Sequence, residues 1–207
     1  MQTFKDALFR VHALSEKKGS HILHTSEISR MDRTLLVRKG WLEEIIRGWY
    51  LLVRPDVQAG DSTAWYANFW DFLKVYLNHH YKTDYCLSAE SSIDLQIGNT
   101  VIPKQVIVMT QKGSTTPVQL PYDTSLLTYK ASADIPNDRE IVKGLQVMTL
   151  NYALCKVTPT FFQKSPHDME IALRSVPSTA DLLRVIVEHD FKSAAGRLVG
   201  AYRFLGD

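Results

Sequence analysis

The stretch from Thr25 to Val53, TSEISRMDRTLLVRKGWLEEIIRGWYLLV, restricts the possible folds of this chain more than any other. Thr25 or Ser26 is a hydroxyl cap for a short helix of about two turns whose inward residue is Ile28. Asp32 caps a second helix, which Gly40 stops. On it, Leu35 and Leu36 point one way, while Arg33, Thr34, Val37 and Arg38 point the other. Two apolar runs then follow, Leu42–Ile46 and Trp49–Val53, separated only by Arg47-Gly48, which predicts a two-residue hairpin. Upstream, Phe4, Ala7, Leu8, Val11 and Leu14 recur at helical spacing until Gly19-Ser20 ends the run. Helix, helix and two-stranded wing is the order of a winged helix-turn-helix, expected over residues 1–54.

Charge is distributed to match. The chain carries a net charge of only +2, yet residues 1–54 hold ten Lys/Arg against six Asp/Glu. A recognition helix buries one side and lays the other in the DNA major groove, where arginines reach guanine edges and phosphates and small apolar groups meet thymine methyls. Arg33, Thr34, Val37 and Arg38 fit that outer face, with Arg30 just before it, and Arg47 at the hairpin tip fits phosphate or minor groove. Glu43-Glu44 beside the wing argues the other way, since carboxylates repel phosphate. The same helix then reads as a solvated face or a protein-contact module.

Pro55 to Asp61 is polar and turn-rich and marks the expected domain boundary, with an α/β domain over 61–207. Trp65, Phe69, Phe72, Leu73, Tyr76 and Leu77 recur at helical spacing, which argues for core packing over base-stacking platforms. Trp41, Trp49 and Tyr50 are expected to seat the wing on this second domain. Strands are expected at Tyr85–Leu87, Val106–Met109, Leu126–Tyr129 and Leu145–Thr149, with a capped helix after Ser88, another capped by Ser178 or Thr179, and more helix over 150–175 and at the end. The run Val106-Ile107-Val108-Met109 lacks alternation, so both its faces should be covered, and the aromatic helix is expected to pack on its sheet. The fold class that follows is α+β: an N-terminal winged helix-turn-helix, then a mixed α/β domain with C-terminal helices.

Chemistry has little support. Cys86 and Cys155 are far apart with no C-x-x-C, which disfavours a zinc site or a disulfide framework. His79-His80 diverge by about 100° on a helix and read as helix-end residues rather than metal ligands. Ser88, Ser91 and Ser92 read as helix-start residues, and Asp134, Asp138 and Glu140 as solvated loop charge. Phosphate-binding glycine loops, a nucleophile elbow and H-E-x-x-H are missing from the sequence, so neither an enzyme nor a cofactor is expected. No apolar run nears the roughly 18 residues of a membrane helix, and MQTFKDALFR carries charge where a signal peptide is apolar. A soluble, cytoplasmic protein is expected.

Gly40, Leu42, Arg47, Gly48 and Tyr50 match the pattern G-x-L-x-x-x-x-R-G-x-Y, and in that respect the segment resembles the N-terminal winged helix of AbiEi-type antitoxins from type IV toxin–antitoxin systems. CLSAESSIDLQIG (Cys86–Gly98) and LQVMTLNYALCKV (Leu145–Val157) resemble later segments of that family, so the likeness spans roughly residues 5–160. It implies a bacterial regulator that binds double-stranded operator DNA and answers to a cognate toxin. Residues 161–207 run past that pattern, and AAGRLVGAYRFLGD resembles the region before the Fic domain in some bacterial Fic proteins. The Fic signature HPFx(D/E)GNGR is absent. The alternative implied is a non-catalytic N-terminal regulatory or protein-interaction module of a longer Fic-type protein.

Overall fold

The computed structural model describes residues 3–55, 61–114, 116–131 and 135–206, and it is α+β. The chain divides into two compact units: Met1–His80 with Val118–Ser125, and Tyr81–Pro117 with Leu126–Asp207.

The first unit begins with α1 (Phe4–Lys18), closed at its N-terminus by a reciprocal Thr3–Asp6 capping box and at its C-terminus by Gly19 in the left-handed conformation. Next come β1 (Ile22–His24), α2 (Arg30–Arg38), β2 (Leu42–Ile46), β3 (Trp49–Leu52) and α3 (Thr63–Tyr81). The strands form one antiparallel sheet in the order β1-β3-β2. Period-two alternation gives β3 two different faces. Tyr50 joins Ala7, Val11, Leu23, Ile28, Leu36 and Leu42 in a core beneath α1 and α2. Trp49, on the opposite face, stands edge-on to Phe72 of α3 with ring centroids 6.2 Å apart. Both faces of β3 are apolar because helices cover both, whereas β2 shows Glu43 and Glu44 to solvent.

Residues 25–28 make a turn rather than a two-turn helix. The Glu27 amide bonds back to the His24 carbonyl, the Thr25 amide donates to the Gly48 carbonyl, and Ser29 already caps α2. Asp32 is therefore not the cap but a third-position residue, whose amide donates to Ser29 Oγ. The aromatic helix belongs to the first unit, where Trp49 is seated on it, so the compact unit runs past the expected Pro55–Asp61 boundary. Of that boundary, residues 56–60 lie outside the described residues.

The second unit opens with β4 (Tyr85–Leu87), α4 (Ala89–Gln96) and β5 (Gln105–Thr110). The segment Val118–Ser125, with β6 (Val118–Gln119), belongs to the first unit. The chain continues through β7 (Ser125–Lys130), β8 (Arg139–Val142), β9 (Leu145–Met148), α5 (Leu150–Lys156), α6 (Pro159–Lys164), α7 (Pro166–Arg174), α8 (Thr179–Glu188) and α9 (Lys192–Leu205). Strands lie in the order β4-β5-β7, and β8-β9 form a separate antiparallel hairpin. Val106 and Val108 are fully buried, while Ile107 and Met109 are only half-buried. Contrary to expectation, β5 alternates and leaves one face partly open.

Strand β8 was not expected either. Asp138 and Glu140 read as loop charge, but Glu140 pairs with Val147 across the hairpin, and Asp138 meets His189 Nε2 at 2.8 Å. Asp134 lies outside the described residues. Lys143 and Gly144 both have positive φ (51° and 78°), the backbone of a type I′ turn, which matches the right-handed twist of the strands it joins. Around this sheet α4, α5, α7, α8 and α9 bury Ile93, Leu154, Leu173, Leu182 and Leu198. Among the described residues, no helix is long and apolar enough to cross a membrane.

One buried acid gives this unit a pH signature. Burial pushes the Asp94 carboxyl up from its ordinary 3.8 to about 6, against the opposing pull of its bond with Asn99. A carboxyl whose folded pKa is raised binds its proton more tightly in the folded state. Stability is therefore expected to fall as pH rises from about 4 to about 6 and then to level off. Asp94→Asn should remove that decline in urea melts taken across the interval; a variant with the wild-type pH profile would rule out this carboxyl as its source.

Candidate nucleic-acid interface

Nine residues make α2 about 13 Å long. Its inner side is fixed by Leu36, which is fully buried, and by Asp32, 4% exposed. Asp32 takes a two-pronged bond from Arg10 of α1, with Nη2 to Oδ1 at 2.6 Å and Nε to Oδ2 at 3.1 Å. That guanidinium holds the Asp32 carboxyl below the usual carboxylate range. A short helix thus acquires a defined rotation against α1, which sets the side it shows to solvent.

Arg30, Thr34, Val37 and Arg38 are all exposed on that side. Arg33 is half-buried at its edge, with its guanidinium carbon 5.8 Å from the centre of the Tyr50 ring. Arg33 is therefore partly engaged in packing, and Arg30, taken from sequence only as a flanking residue, stands more openly. Met31 is 67% exposed beside them, an apolar side chain shown to solvent.

Arg47 is exposed at the tip of the β2–β3 hairpin. Gly48 follows with φ of +86°, a conformation that glycine adopts without strain. Its amide donates to Glu44 Oε1 at 3.3 Å, and the Tyr50 hydroxyl donates to the same oxygen at 3.3 Å. Glu44 therefore braces the tip, which removes half of the argument that Glu43-Glu44 is there to repel phosphate. Glu43 is exposed. Neither the Arg10–Asp32 clamp nor the Glu44 brace was anticipated. A contact across 22 residues leaves no local signal, although the Glu44–Gly48 spacing around a hairpin tip offered one for the brace.

Beside the hairpin tip, His24, Trp49, Tyr76, His79 and His80 gather. Ring centroids are 4.6 Å apart for His24–His79 and 4.4 Å for Tyr76–His80. Burial, with His79 beside them, holds His24 and His80 below the ordinary imidazole range. His79 and His80 thus do more than end a helix. Among the described residues, no group of three or more His, Cys, Asp and Glu is arranged to hold a metal.

In the second unit, burial pushes the Cys86 thiol up to about 12 and the Cys155 thiol up to about 11, so neither supplies a thiolate near neutrality. Ser88 caps α4 through the Ser91 amide, and Ser92 Oγ donates to the Leu87 carbonyl and accepts from the Met148 amide. These serines hold the start of α4 and tie β9 to it.

Comparison with known proteins adds fold information only. No protein-family model matches the chain, and no curated protein does. Among solved structures, the crystal structure of the RV2827C protein from Mycobacterium tuberculosis is similar, with a TM-score of 0.56 over 94% of this chain and 76% of that one. Identity is 13%, so the likeness is one of backbone arrangement.

Proposed function

We propose that the first unit is a winged helix-turn-helix that binds double-stranded DNA, and that the protein is an antitoxin-type transcriptional regulator acting on its own operon. The observation that carries this reading is the outer face of α2. Arg30, Thr34, Val37 and Arg38 are exposed together on a helix whose rotation is fixed from behind by Arg10–Asp32, and Arg47 projects from the neighbouring hairpin tip. In this reading α2 enters the major groove, its arginines reach guanine edges and phosphates, Val37 meets thymine methyls, and Arg47 holds the backbone. The second unit is non-catalytic and contacts partners, a cognate toxin among them.

A salt titration of binding to the duplex upstream of the protein's own gene tests it. Log K should fall linearly with log salt, with a slope of about −0.9 per phosphate contact. Arg47→Ala should lower affinity evenly across sequences and flatten the slope by about one unit. A slope near zero, or no preference for the upstream duplex over unrelated DNA, would defeat the proposal.

One observation favours a second reading. Leu183 and Val187 of α8 and Val199 and Phe204 of α9 are exposed, with Val187 at 78%. Leu183 and Val187, four residues apart, share one side of α8, and an exposed apolar pair there suits a protein partner. The protein is then a non-catalytic regulatory module of a longer Fic-type chain, and the DNA titration is flat.

A further inference from the structure

Helix α1 has an outward face that α2 does not use. Lys5, Phe9, His12, Ala13 and Glu16 are exposed on it. At about 100° per residue, the centre of this stripe lies roughly 120° around the helix from Arg10, the residue that clamps α2. Phe9 is 75% exposed. With half-buried Trp41 these residues border an open groove of about 700 Å³.

We propose that this face pairs with the same face of a second copy of the chain, the two α1 helices running antiparallel across a twofold axis. The order of charges along the stripe argues for it. Lys5 stands at the N-terminal end and Glu16 at the C-terminal end, with Phe9 and Ala13 between. Antiparallel pairing sets Lys5 against the partner's Glu16 and, by symmetry, makes that pair twice. The same register sets Phe9 against the partner's His12 and Ala13, where the alanine leaves room for the ring. Parallel pairing sets Lys5 against the partner's Lys5 and Glu16 against the partner's Glu16, so charge selects the antiparallel form. Because α2 faces elsewhere, dimerisation is independent of what α2 binds.

Sedimentation equilibrium of the full chain, over a hundredfold range of concentration, tests the proposal without any DNA. The wild type should show a monomer–dimer equilibrium. Phe9→Glu, at a solvent-facing position, should weaken it by at least about tenfold, as loss of a central aromatic anchor does. Lys5→Glu and Glu16→Lys should each weaken it. The double reversal Lys5→Glu/Glu16→Lys should restore it, and mixing the two single variants should yield mixed dimers. Phe9→Ser serves if circular dichroism shows that Phe9→Glu has lost helix. A wild type that stays monomeric, a dimer indifferent to Phe9, or a double reversal no better than its single variants would overturn the proposal.

Discussion

Arg30→Ala and Arg38→Ala together are expected to reduce binding to the upstream duplex by about 2–6 kcal/mol, given about 1–3 kcal/mol for each arginine that reaches a base edge. Arg30 and Arg38 flank Thr34 on the exposed side of α2 at helical spacing, a span of about 12 Å. Neither holds the fold. Both side chains are exposed, and the anchors of α2 are Leu36 and the Arg10–Asp32 clamp on the other side. The double variant should therefore keep the wild-type urea midpoint while losing affinity and sequence preference. Arg33→Ala is the informative contrast. Its guanidinium lies against the Tyr50 ring, so the substitution should cost some stability as well as affinity. The two effects separate in a fluorescence titration run beside a urea melt. Unchanged DNA affinity in the Arg30/Arg38 double variant would remove α2 from the interface and leave the protein-contact reading ahead.

How far the sequence anticipated this arrangement depends on the range of the contacts involved. Local signals held. Gly19 ends α1, Arg47-Gly48 turns the hairpin, Ser88 and Ser178 cap α4 and α8, and the aromatic spacing from Trp65 to Leu77 gives α3. Each of these depends on atoms a few residues apart. The misread elements depended on distant partners. Asp32 looked like a cap, but it lies at the third position and its carboxylate belongs to Arg10. Thr25 and Ser26 looked like the start of a helix, but a hydrogen bond from the Thr25 amide to Gly48 makes that segment a turn. The run at Val106 looked evenly apolar because valine, isoleucine and methionine do not differ enough to reveal which of them face the core. For the candidate interface, residue type and spacing picked out Arg30, Thr34, Val37, Arg38 and Arg47, all exposed, but not the side engagement of Arg33 with Tyr50.

Trp49→Ala should be the most damaging single substitution in the first unit, destabilising it by about 3–5 kcal/mol. Trp49 is 2% exposed, and its indole sits at the crossing of three elements. His24 of β1 lies 4.8 Å away, while Phe72, Tyr76 and His79 of α3 lie 6.2, 5.7 and 5.3 Å away between ring centroids. Removal of the indole leaves a cavity that rings on a sheet and a helix cannot close without moving the backbone, and it forfeits edge contacts worth about 0.5–1.5 kcal/mol each beyond their area. Trp41 gives the comparison. It is half-buried and meets Phe4 at 6.2 Å, so Trp41→Ala should cost distinctly less. Urea denaturation measures both, with the midpoint moving at unchanged slope if only stability is affected. Trp49→Phe should recover part of the loss, since a smaller ring keeps some of the edge contacts. The residue after Gly48 is also what holds the hairpin to α3, so Trp49→Ala should loosen the tip that presents Arg47. In duplex titrations at temperatures where the variant is still folded, its salt slope should approach that of Arg47→Ala. A loss below about 0.5 kcal/mol, within the range of an ordinary surface change, would mean that α3 does not seat the hairpin and that its position is set by α1 and α2 alone.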